Sequence, residues 1–246
     1  MFDKEIEINR YDIRAKKRLE LQNYTLRTIT PAQLQPPISS YESLLAGVPP
    51  GSKVLEIGAG MGENTGFLLE LGLDVCVTDI STKSVEFLVN KFAKCDSFNA
   101  EVADMERLPF SDNAFNVVCS AGSLSYGDNF VVMNEIYRVL GTGGVFIALD
   151  SLSNNPIYNL NRYLHFLLGN RSKSTLKRMP TVDLIDSYAL KFGNVKVAYF
   201  GALTWSFPIL AKFLSDESIR VISNRFDKKL NVKKSAFKFT MKAIKL

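Results

Sequence analysis

Apolar residues along this chain alternate between short dense runs and longer stretches with helical spacing. The dense runs are Lys53 to Ile57, Asp74 to Asp79, Phe98 to Ala103, Phe115 to Ser120 and Val145 to Asp150. Each is the length of a strand, and their lack of a polar face predicts burial on both sides, as in a parallel sheet. Between them the spacing changes. Phe67 to Leu71 gives an apolar helical face closed by Gly72, Thr82 to Ala93 reads as the next helix, and Asp128 is placed to cap a helix running to Leu140. Strand, helix, strand in this order predicts an α/β, Rossmann-like sheet covered by helices on both faces.

The flanks follow the same rules less regularly. Residues 1 to 46 are amphipathic and helix-like, broken at Pro31 and Pro36-Pro37, with a short helix over Tyr41 to Leu45. After residue 180 the pattern predicts a helix from Thr181 to Leu190, a strand from Val195 to Phe200, a helix from Ile209 to Ile222 and a closing strand from Ala236 to Ile244.

The turn after the first strand carries the most specific chemistry. Gly58, Gly60 and Gly62 stand at alternate positions, where a side chain would hold the backbone away from a ligand or forbid positive φ. A dinucleotide fingerprint counted from Gly58 requires glycine at 63, and counted from Gly60 it requires glycine at 65. Glu63 and Thr65 occupy those places. Glu56 and Glu63 would repel a pyrophosphate, so this turn suits a ligand with cationic groups and no phosphate. Asp79 ends the second strand, where a doubly wound fold places a carboxylate against ribose hydroxyls; the alternative is a cap for the helix beginning at Ser81-Thr82.

Glu56-Ile-Gly58-Ala-Gly60-Met-Gly62 resembles the first motif of the class I S-adenosylmethionine-dependent methyltransferases, in the broad branch that includes quinone-biosynthesis and other small-molecule enzymes. The resemblance extends from about Pro49 to Asp150. It implies a seven-stranded, mostly parallel sheet and S-adenosylmethionine as cofactor. It also implies cofactor contacts from Glu56, Gly58, Ala59, Gly60, Gly62, Asp79, Ile80 and Ser120. Asp104 would accept from the adenine amino group, with Met105 packing the ring, and Tyr11, Arg14 or Tyr41 could face the methionine carboxylate, with plain helix packing as the alternative for each. The loop after the fourth strand would face the transferred methyl group. Many relatives have a histidine there, whereas this chain has Leu124-Ser125-Tyr126, leaving Tyr126 or Ser123 to orient a substrate.

Charge changes the picture in the second half. Residues 1–150 hold 13 basic and 20 acidic residues, residues 151–180 hold five basic and none acidic, and residues 225–246 hold eight basic and one acidic. The carboxylate-free stretch 151–180 follows the fifth strand at the ligand edge and resembles a segment of methyltransferases of bacterial surface-polysaccharide synthesis. That points to O-methylation of a carbohydrate or related anionic acceptor. Asn155, Arg162, Arg171 and Arg178 are the candidate substrate ligands. His165, the single histidine, is the candidate general base, with a plain helix-face role as its alternative and Asp128 and Asp150 in reserve. A lipid-quinone or RNA methyltransferase, or a cofactor-binding protein without catalysis, are the other readings. For 202–214, rich in apolar residues, the choices are core packing, a substrate wall, or contact with lipid or a second subunit.

At 246 residues the chain fits one domain. It divides into an N-terminal helical cap at 1–48, a cofactor core at 49–150, a specificity insertion at 151–180 and the rest of the sheet at 181–246. Three cysteines without Cys-x-x-Cys spacing and one histidine argue against a metal site. No run has the length of a membrane span and the start lacks signal-peptide form, so the expected location is cytoplasmic.

Overall fold

A computed structural model describes residues 25–168, 172–229 and 232–246. Its strands are β1 (Lys53–Ile57), β2 (Asp74–Asp79), β3 (Phe98–Val102), β4 (Phe115–Ala121), β5 (Leu140–Ser151), β6 (Asn194–Phe200) and β7 (Lys238–Ile244). They form one seven-stranded sheet in the order β3-β2-β1-β4-β5-β7-β6. The first five pair in parallel, and β7 is antiparallel to both β5 and β6. This is the expected Rossmann-like arrangement, with the sheet order reversing between β1 and β4.

The helices are α1 (Pro36–Ala46), α2 (Thr65–Glu70), α3 (Thr82–Lys91), α4 (Asn129–Val139), α5 (Pro156–Leu167), α6 (Lys173–Lys177), α7 (Val182–Phe192), α8 (Phe207–Leu210) and α9 (Asp216–Lys229). Alternate residues of the buried strands feed two cores, one on each face of the sheet. Leu55, Val118, Phe146 and Ala148 meet α4 and α7 through Ile136, Val139, Ile185 and Tyr188. Val54, Val117, Cys119 and Ile147 meet α1, α2 and α3 through Tyr41, Leu45, Leu68 and Leu88. The period of two in a strand thus explains why these segments read as continuously apolar.

Three boundaries differ from the sequence expectation. Pro36 and Pro37 open α1 rather than break it, because proline at the first helical positions loses no hydrogen bond. Gly141-Thr-Gly-Gly144 lies within β5 as an irregularity rather than as a turn before it. Phe115 pairs with Leu140 and the register then shifts before Val117 pairs with Val145. The helix expected over 209–222 is two helices. Ser215 accepts from the Ser218 amide, and Asp216 and Glu217 occupy the first turn of α9, so a new helix starts there.

Candidate functional site

β1 delivers the chain to a tight loop in which Gly58, Gly60 and Gly62 all have positive φ, 64°, 57° and 75°. The three glycines serve different ends. A Cβ on Gly58 would lie 2.5 Å from Cβ of Ser123, so the loop after β4 presses directly on this backbone. A Cβ on Gly62 would lie 2.5 Å from Leu88 Cδ2, so that glycine lets α3 pack. Gly60 faces Asp79: its amide donates to Oδ2 at 2.8 Å, while the Ser81 amide donates to Oδ1 at 2.9 Å. Asp79 therefore braces the glycine loop as well as ending β2. Ser81, not Asp79, caps α3 by accepting from the Ser84 amide.

A cavity of about 210 Å³ opens at this carboxyl edge of the sheet, lined by Leu26, the 58–64 loop, Ala121, Gly122 and Tyr126, with Glu56 beneath. Among the described residues its lining carries two carboxylates, Glu56 and Glu63, and neither lysine nor arginine. Glu56 is almost fully buried. Its carboxylate accepts from Thr65 Oγ1 at 2.7 Å and from Asn64 Nδ2 at 3.1 Å. Burial pushes its pKa up to about 7 against the pull of those two donors, and Asp79 adds to the rise. A cationic group entering the cavity would relieve that cost, whereas a phosphate would increase it. The lining fits S-adenosylmethionine, whose ammonium and sulfonium are positive and which carries no phosphate, and does not fit a dinucleotide.

Asp104 and Met105 follow β3. Asp104 is half-buried and accepts from the Glu106 amide. Met105 lies between the glycine loop and the loop after β4: its Cε is 3.4 Å from a Cβ placed on Gly58, and its Sδ 3.3 Å from one placed on Gly127. The structure thus brings Gly58, Met105 and the Ser123–Gly127 turn together. Ala59 lines the cavity while its amide donates to Thr78 O, and Ile80 sits half-buried just beyond Asp79.

Other expected site residues are engaged in holding the fold. Ser120 is fully buried, and its hydroxyl bonds that of Ser123, which donates to Ile57 O. The pair clasps β4 to β1. Tyr41 is fully buried with its hydroxyl accepting from Asn64, so it supports the loop from behind. Asp128 caps α4, accepting from the Phe130 and Val131 amides. Asp150 is buried and accepts from the Leu124 and Ser151 amides, fixing the Tyr126 turn to β5.

The insertion departs most from expectation. Asn155 is a buried cap for α5, accepting from Ile157 N and donating to Ser235 O. Arg162 is buried, donates to Leu152 O at 2.9 Å and to Asn159 Oδ1, and lies over the Phe237 ring. Both are candidate substrate ligands in the sequence; here their side chains tie α5 to Leu152 and Ser235, and neither is in the described lining of the cavity. His165 is exposed on α5 and does not line the cavity. Arg178 alone of the described basic candidates comes beside the site, within 3.5 Å of Tyr126 O and 3.7 Å of Glu106. Tyr11, Arg14 and Arg171 lie outside the described residues. Leu26 lines the cavity without any signal in its sequence context; its amide donates to Glu63 O, a backbone contact that side-chain patterns do not encode.

Residues 55–148 match a family model described as a methyltransferase domain. The chain is 34% identical over 116 residues to sterol 4-C-methyltransferase strm-1 of Caenorhabditis elegans, covering 46% of this chain and 34% of that protein. It is also 34% identical over 110 residues to ubiquinone/menaquinone biosynthesis C-methyltransferase UbiE of Neisseria gonorrhoeae, covering 41% of this chain and 43% of that one. The chain thus matches less than half the length of either relative. Among solved structures, Haemonchus contortus phosphoethanolamine N-methyltransferase 2 in complex with S-adenosyl-L-methionine superposes with a TM-score of 0.58. That alignment has 19% identity and covers 84% of this chain and 51% of that one, a likeness of fold.

Proposed function

Because the chain carries a class I S-adenosylmethionine-dependent methyltransferase domain, we propose that it transfers the cofactor's methyl group to a small lipid-type acceptor with a polar head. The acidic, cation-free lining of the glycine-loop cavity is the observation that carries the cofactor half of this reading. When bound, the sulfonium supplies an electrophilic methyl group and a neutral leaving group.

The chain's own residues have the remaining tasks. Asp79, already oriented by the Gly60 and Ser81 amides, would take the ribose hydroxyls. Asp104 would accept from the adenine amine above Met105. Glu56 and Glu63 favour the ammonium and sulfonium by their field. In-line transfer then needs position and exclusion of water more than it needs a strong catalyst. Tyr126 and Leu26, at the cavity edge, would meet the acceptor, and Arg178 beside Tyr126 would meet its polar or anionic head.

The acceptor half rests on what the insertion can offer. A sugar hydroxyl requires hydroxyl-matching ligands and a proton acceptor, and Asn155, Arg162 and His165 are bonded elsewhere or exposed away from the cavity. A lipid-type acceptor also sheds a proton on methylation, to water or a nearby base, but needs no set of hydroxyl-matching ligands, and the sterol and quinone methyltransferases among the chain's relatives accord with that chemistry. Incubation with methyl-labelled cofactor and fractionated cell extract tests the reading. Label should enter the lipid fraction; label in polysaccharide would return the acceptor to carbohydrate, and no cofactor binding at all would overturn the proposal.

A further inference from the structure

Helix α5 is built inside out. Its inward positions are polar or carry a polar tip: Tyr158 and Arg162, one turn apart, are buried, and Asn159 bonds Ser153 on the same side. Its outward positions are aliphatic. Ile157, Leu160, Leu164 and Leu167 recur at helical spacing, and the three leucines are 62%, 50% and 62% exposed. Leu168, just past the helix, is 72% exposed. A helix packed on a domain normally shows the reverse.

The apolar surface continues onto a second segment. The Tyr158 hydroxyl donates to Gly201 O and accepts from the Trp205 amide, which fixes the 204–206 turn beside α5. Trp205, Ile209 and Phe213 are exposed in this segment, Phe213 at 80%. Two adjoining elements therefore present aliphatic and aromatic side chains together, more than scattered surface residues would give.

Charge selects among occupants. Neither 151–182 nor 187–215 contains an aspartate or glutamate. Lys173, Lys177 and Lys212 are exposed; the half-buried Asp227 is turned to the Gly201 and Ala202 amides, and Asp216 and Glu217 begin α9. A second copy of the chain, docked about a two-fold axis, would set this basic patch against itself. An anionic surface with an apolar interior complements it. Among the described residues no helix is long and apolar enough to cross a membrane, so the fit is to lying on one, with Trp205 and Tyr163 suited to headgroup depth.

We propose that the α5 face, with Trp205, Ile209 and Phe213, docks this protein onto the surface of an anionic lipid bilayer. The proposal deepens the lipid-acceptor reading but stands on separate observations. The face is also linked to the site: α5 begins five residues after β5 ends, and Arg178, just past α6, reaches Tyr126.

The test is flotation of the full chain with vesicles of phosphatidylcholine alone or mixed with phosphatidylglycerol. Binding should require the anionic lipid and weaken with added salt. Leu160→Glu with Leu164→Glu should weaken binding about tenfold or more, since each change removes buried apolar area and adds a repelled charge. Lys173→Glu with Lys177→Glu should weaken it by less. Both positions are exposed, so unchanged thermal unfolding and unchanged cofactor binding serve as folding controls. Equal flotation of the leucine variant and wild type would overturn the proposal. So would failure of the wild type to float, or concentration-dependent self-association that the leucine variant abolishes while vesicles are ignored. Cofactor binding with no lipid labelling would count against the acceptor reading, and the flotation result would remain separate from it.

Discussion

The glycine-loop half of the sheet and the segment from 151 to 214 are built on opposite polarity. Around the loop, acidic groups point inward, to a cavity that asks for positive charge, and apolar residues fill two cores. In α5 and the segment through Phe213, polar groups point inward to tie down backbone, while apolar and basic side chains point outward. The difference teaches that burial of a polar residue does not identify its role. Asp79 and Arg162 are both buried and both hydrogen-bonded to the backbone, yet one braces the glycine loop that lines the cavity and the other anchors a helix from beneath.

Mutations can break this contrast. Asp79→Ala should have the largest effect, lowering S-adenosylmethionine affinity by about 100-fold or more through loss of charged hydrogen bonds and of the Gly60 brace. Calorimetric titration would read it, and retained affinity would remove Asp79 from the site. Gly58→Val should follow. Its Cβ meets Ser123, and φ of 64° is strained for a branched side chain, so roughly 1–3 kcal/mol of stability should be lost together with cofactor binding.

Arg162→Leu should separate the two halves: a fall in melting temperature of several degrees, with cofactor affinity unchanged. An equal loss of affinity would mean that the two regions are one functional unit.

A smaller effect concerns pH. Burial raises Glu56 to about 7, so in the free protein it holds its proton while the unfolded chain has already ionised. Its contribution therefore makes stability fall as pH rises from about 4.5 to about 7. A cationic cofactor favours the ionised form, so affinity should rise by up to about tenfold from pH 6 to 8 and then level off. Glu56→Gln should flatten that profile; an unchanged slope would assign it to another group. Smallest of all should be His165→Ala. An exposed imidazole on α5 is expected to change turnover by less than about twofold, and a loss of a hundredfold would return it to the acceptor site.

How far the chain could be read depended on the range of the forces involved. Strand and helix order follow from local period and caps, so all seven strands were legible, β1 and β2 to the residue. The boundaries that moved depended on partners. β5 extends to Leu140 because Phe115 pairs with it, and the carbonyl of Leu140 accepts from Lys245 Nζ, more than a hundred residues away. The glycine loop that lines the cavity was legible at Gly58 and Gly60, whose positive φ depends only on a missing side chain. Side-chain partners distant in sequence could not be read in this way, as with Ser120 on Ser123 and Ile57 or Asn155 on Ser235, whereas the cap at Asp128 was legible from local spacing.

The sheet, the positive φ of the glycine turn and the acidity that disfavours a dinucleotide are written in the amino-acid order, because spacing, missing side chains and charge are properties of a few adjacent residues. Which way α5 faces is fixed by contacts between distant segments. Its apolar stripe is as regular as that of a core helix, and periodicity cannot say whether such a stripe looks inward. The buried contacts of Arg162 with Leu152 O and of Tyr158 with Gly201 and Trp205 settle it, since they turn the polar side in and leave the leucines outside.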